Sequence, residues 1–245
     1  LTGWMSVDPM VDKYPSISPY AYCTWNPIKL VDPNGEDVLP TSEDAYQMIL
    51  MTIPESAREY IRCNKDGYID RDLINLYDCE SSNFRDLKEL VNNVCVIEVT
   101  IADAYTWADK DGNLGTTKME YQTPSIEAEL NRLFNVNTVP PPENKGPYSL
   151  STEEAGEMGI TLFPTQLSGR QSTNENIQII VNSNLSFKGR VETFAHDFFG
   201  HAYIYATSCD VSRATHNFSQ DRKDLNLELK TRIISSQNET YLYQR

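Results

Sequence analysis

Histidine is scarce here: the 245-residue chain has three, His196, His201 and His216, all in one C-terminal stretch. Positive charge is also short. There are 21 basic against 35 acidic residues, a formal charge of -14, and no Lys/Arg run. A phosphate backbone would be repelled by such a surface, which argues against a nucleic-acid partner. No apolar run approaches the roughly 20 residues that span a bilayer, so no stable membrane insertion is expected. The cysteines, Cys23, Cys63, Cys79, Cys95 and Cys209, are five in number and contain no CxxC pair. That pattern fits neither a disulfide framework nor a zinc ribbon and predicts buried thiols.

The N-terminus, "LTGWMSVDPM", lacks the charged and apolar regions of a signal peptide and does not begin with Met. It reads as a piece of a longer protein, with any secretion signal expected upstream. The first residues are dense in Pro, Tyr and Asn, and Asp8-Pro9, Tyr14-Pro15, Asn26-Pro27 and Asp32-Pro33-Asn34-Gly35 are turn-forming steps. An irregular segment held by aromatic side chains is expected.

That segment, from Gly3-Trp4-Met5-Ser6 through Ser18-Pro19-Tyr20 and Tyr22-Cys23 to Asp32-Pro33-Asn34-Gly35, resembles the end of the rearrangement-hotspot (Rhs, YD-repeat) associated core. In that family a β-cage shell is followed by a variable toxin or effector domain. The resemblance implies that 1–37 is a core end, that the rest is the payload of a polymorphic toxin, and that the protein is a secreted effector. A cognate immunity protein is implied with it.

Hydrophobic periodicity predicts an α+β payload in two parts, 38–140 and 141–245. In the first, helices are expected from Thr41 (capping with Asp44) to Pro54, over 71–77 and over 83–92. Alternation in "VCVIEVTIADAYTW" and an Asp111-Gly112 turn predict a β-hairpin. A helix over 125–134 and a Pro-rich linker over 135–147 follow. In the second part, "GITLFPT" and "NIQIIVNS" read as strands, the latter leading into a histidine-bearing helix. A last helix is expected over 225–236.

On that histidine helix, Val191, Phe194, Ala195, Phe198, Ala202, Tyr205 and Ala206 share an apolar face, with Glu192, His196, Asp197, Gly200 and His201 opposite. Ideal geometry would set His196 and His201 about 140° apart, too far for one ion. A π-type widening over Phe198 to His201 would bring them together, with Gly200 relaxing the backbone.

The string His196-Asp197-Phe198-Phe199-Gly200-His201 is similar to HExxGH, the lengthened zincin motif of the dipeptidyl-peptidase III family. The resemblance implies a zincin-like domain with Zn²⁺ on His196 and His201. Asp197 would then stand where the family has its general base. Asp is one methylene shorter than Glu, so Glu192 is a second candidate for orienting His196 or moving a proton. A third ligand is required, with His216 the first choice and Glu228 the alternative. Tyr203 or Tyr205 could bind an oxyanion.

The expected activity is zinc-dependent peptidase cleavage of a protein or peptide substrate. Two alternatives stand beside it: a non-catalytic payload or adaptor with a structural metal or none, and a metal-dependent nuclease toxin. "NKDGYID" has EF-hand character, but Arg62 and Leu73 occupy the first and twelfth loop positions, so a turn is expected there.

Overall fold

The computed structural model describes residues 38–120, 157–165, 169–216 and 223–243. The chain divides into a unit Leu1–Glu36 and a unit Asp37–Arg245. The Rhs-like segment, the expected helix over 125–134 and the linker over 135–147 lie outside the described residues.

Strand β1 is Val38–Pro40 and is followed by helix α1, Glu43–Met51. Ser42 rather than Thr41 caps α1: its Oγ accepts the Ala45 N–H at 3.2 Å. Thr41 instead donates to the Val99 carbonyl, tying the chain to a neighbouring strand. The helix ends before Pro54 as expected, and a 3₁₀ helix, Glu55–Tyr60, takes over. Helices α2, Arg71–Ile74, and α3, Ser82–Val91, complete this lobe.

Next come strands β2, Ile97–Ala102, β3, Ala104–Ala108, and β4, Leu114–Lys118. β3 and β4 form the expected antiparallel hairpin, with Gly112 at φ 83° supplying the turn. β2 departs from the expected hairpin. It runs parallel to β1 on one side and to β6, Ile177–Asn182, on the other, while β5, Gly159–Leu162, closes the edge antiparallel to β6. The strand order is β1-β2-β6-β5. Strands from either side of residue 140 thus share one sheet, and that residue does not separate two cores.

Side-chain alternation assigns the two faces of the sheet. Ile97, Val99, Ile177, Ile179 and Val181 join the main core under the helices. Leu162 and Ile180 turn the other way, onto Tyr105 of the hairpin and Met119. β6 is therefore buried on both faces, which explains the successive apolar residues Ile179, Ile180 and Val181.

Helix α4, Phe187–His196, is capped by Ser186. It continues without a break through a π turn, Asp197–Ala202, into α5, Tyr203–Ser208. Cys209 ends α5 in the left-handed region at φ 53°, and the short α6, Val211–Ala214, turns back toward the π turn. The last helix, α7, Lys223–Tyr243, packs on α3, α4, α6 and the π turn. Phe194, Phe198 and Phe199 are fully buried in this junction, each contributing about 1.5–3 kcal/mol of apolar burial. The thiols are less buried than expected, for Cys63 and Cys209 are exposed. Among the described residues no helix is long and apolar enough to cross a membrane.

Candidate metal centre

The π turn covers all six residues of "DFFGHA" and brings the two histidines together. His196 Nε2 lies 3.0 Å from His201 Nε2. His216, two residues beyond α6, places its Nε2 3.4 Å from that of His196. One nitrogen from each ring lies within 4.8 Å of the others, so the three imidazoles could hold one metal ion. His201 is buried, His196 half-buried and His216 exposed, so the cluster opens outward on the His216 side.

The His201 ring is fixed by its second nitrogen, for Nδ1–H donates to the Ala214 carbonyl at 2.5 Å. A histidine that donates one ring N–H to a backbone carbonyl leaves the other nitrogen as a lone pair, the arrangement a metal ligand requires. The same bond ties α6 to the π turn and so sets the approach of His216. Burial, then repulsion from the other two rings, pushes His196 down to about 3. Burial likewise lowers His201 to about 4, against the opposing effect of the Ala214 bond. Burial and Lys230 lower His216. All three shifts favour the neutral ring, the form that ligates without releasing a proton.

Asp197 lies on a different side from the one expected. A single helical step turns it from the histidine side onto the sheet, where it is buried. Thr161 Oγ1 of β5 donates to its Oδ1 at 3.2 Å. Gly159 makes room, since a Cβ there would lie 2.7 Å from Asp197 Oδ2 and 2.6 Å from Thr193 Cγ2. Gly159 and Thr161 face the helices together because they pair with Val181 and Ile179. Burial raises the Asp197 carboxyl to about 7, with the Thr161 bond opposing.

The remaining candidates are engaged elsewhere. Glu228 receives two bonds of 2.8 Å from Arg213 Nη2 and is not part of the histidine cluster. Glu192 pairs with Lys188 at 3.7 Å along α4. Tyr203 donates to Glu89 at 2.6 Å on the α3 side. Tyr205 is buried and bonds Thr165 at 2.8 Å beside Phe163.

Gly200 has a different role from the one its freedom of φ suggested. Its φ is not positive; what counts is the missing side chain, because a Cβ would meet Ile233 Cγ1 of α7 at 2.6 Å. Sequence reasoning also missed Thr161, Ala214 and Gly159, whose parts depend on contacts distant in the chain. No family model, curated protein or solved structure matches this chain.

Proposed function

We propose that Asp37–Arg245 is a zinc-dependent hydrolase of peptides or proteins, carried as the payload of an Rhs-type secreted effector. The observation behind it is the convergence of three imidazoles at a π turn inside a HExxGH-like string. Zn–N bonds of about 2.0–2.1 Å in tetrahedral geometry set ligand nitrogens roughly 3.3 Å apart. Two of the three separations, 3.0 and 3.4 Å, fall close to that value, and all three ligand nitrogens lie within 4.8 Å of one another. Three histidines leave a fourth position open, as a catalytic zinc requires.

Zinc bound there would supply Lewis acidity toward water and a substrate carbonyl. The protein's own part is to hold His201 through Ala214 and to keep a carboxyl, Asp197, next in the chain to a ligand. Asp197 is turned onto the sheet and held by Thr161, so general-base work would require its carboxyl to swing toward the open position. The Rhs part of the proposal rests on the Gly3–Gly35 string, and the chain divides just after it.

One observation favours a second reading, in which the metal is structural. Asp replaces Glu and is hydrogen-bonded to Thr161 beneath the surface. The two readings separate by experiment. Elemental analysis should find one zinc per chain in wild type and none in His196→Ala, and casein cleavage should stop with a chelator and resume with zinc. Zinc binding without cleavage of any protein, and full effector activity in an Asp197→Ala/Glu192→Ala double variant, would establish the structural reading. Plasmid degradation would point to a nuclease instead.

A further inference from the structure

The π turn has a structural cost. Where an α-helix would bond the Tyr203 N–H to the Phe199 carbonyl, here it goes to Phe198 and Gly200. The Phe199 oxygen is stepped over, and it sits within a fully buried residue. A buried carbonyl without a donor costs about 1–3 kcal/mol, so the widened turn needs a donor from elsewhere.

Arg232 of α7 is that donor. Its Nε bonds the Phe199 oxygen at 3.1 Å, while its Nη2 reaches Asp86 of α3 at 2.5 Å. Its guanidinium carbon lies 3.5 Å from the centroid of the Tyr203 ring, whose hydroxyl is held by Glu89. Three contacts thus fix the planar group against the back of the turn. A guanidinium suits this task, because its rigid fork serves a carbonyl and a carboxylate at once while its face stacks on an aromatic ring.

We propose that Arg232 is a positioning residue of the metal centre: by holding the Phe199 carbonyl it keeps the turn in its π form, and so keeps His201 facing His196. The proposal rests on the reading of the histidine cluster as a metal site. The bonds of Arg232 go to Phe199 and Asp86, so it acts through the backbone two residues before His201. Without it, the turn can recover an ordinary helical bond by tightening, which swings His201 away from His196 by the angle that separates i and i+5 in an α-helix, about 140°.

The test uses the full chain and Co²⁺ alone as probe, with affinity measured by chelator competition and geometry by the visible absorption bands. Arg232→Met should weaken Co²⁺ binding by roughly tenfold or more, the scale of losing a group that orients a ligand, and should shift the bands. Arg232→Lys, which keeps one donor, should fall between Met and wild type. A purely packing role would lower the melting temperature of Arg232→Met while leaving its affinity and bands, read well below melting, identical to wild type, and that result overturns the proposal. If Arg232→Met does not fold, Asp86→Ala, which removes the acceptor that holds one arm of the guanidinium, decides by the same two readouts. Failure of wild type itself to bind Co²⁺ or Zn²⁺ would instead remove the metal reading, and this inference with it.

Discussion

His196 and His201 are five residues apart in sequence, and their Nε2 atoms are 3.0 Å apart in space. Only a widened helical turn reconciles the two facts, because in a regular helix the side chains would diverge. The first prediction follows from this pair. Wild type should hold one divalent ion per chain, and His196→Ala or His201→Ala should hold none by elemental analysis. A ligand at 100 times its Kd stabilises a fold by about 2.7 kcal/mol, so zinc should raise the wild-type melting temperature and leave both variants unmoved.

Gly200 gives the second. Its missing side chain is the space occupied by Ile233, so Gly200→Ala should destabilise by about 1–3 kcal/mol through overpacking. Combining it with Ile233→Ala should cost less than the sum of the two single changes, by about 1 kcal/mol in a double-mutant cycle from urea denaturation. Strict additivity would show that the two positions are not in contact.

Asp197 separates catalysis from structure. In the hydrolase reading Asp197→Asn should cut casein cleavage by about 10²–10⁴-fold, the scale of general-base assistance, with zinc content unchanged. Retained cleavage would dismiss it as a base. Asp197→Glu should not improve matters. Its extra methylene would press toward Gly159 and Thr161, destabilising the protein by about 1–3 kcal/mol.

Asp86 carries a pH dependence. Burial raises its carboxyl from 3.8 to about 6, against the lowering effect of Arg232. An acid whose folded pKa is raised binds its proton more tightly in the fold than in the unfolded chain. Its contribution is therefore fully present below about pH 3.8 and is lost as pH rises through 6, by at most about 1.4 kcal/mol per pH unit. Relative to Asp86→Asn, wild type should lose stability between pH 4 and 6 and change no further above 7. Urea midpoints across that range test it, and a constant difference between the two proteins would refute it.

The parts of the fold legible in sequence were the local ones. The unusual separation of His196 and His201 demanded a distorted turn, and the structure widens the helix over Asp197–Ala202. His216 was legible because no fourth histidine competes with it. β2 was misassigned for a corresponding reason. It lies two residues before β3 in the chain, yet its partner β6 is about 80 residues away, with Ile97 opposite Ile177, and alternation does not name a partner. Arg232 was illegible because its role depends on one carbonyl that the π turn leaves over, and nothing in "KTRIISS" marks it.

The position of β6 governs how the molecule is made. The sheet begins at Val38, but the strand that joins β2 to β5 is not complete until Asn182. An emerging chain must therefore carry β2 with an unpaired edge until β6, about 80 residues further on, has been made, and such non-local closure is slow. The imidazoles come within the next 34 positions, His216 last. Central strand and metal site thus depend on the same stretch of chain, and loss of 177–216 would remove both.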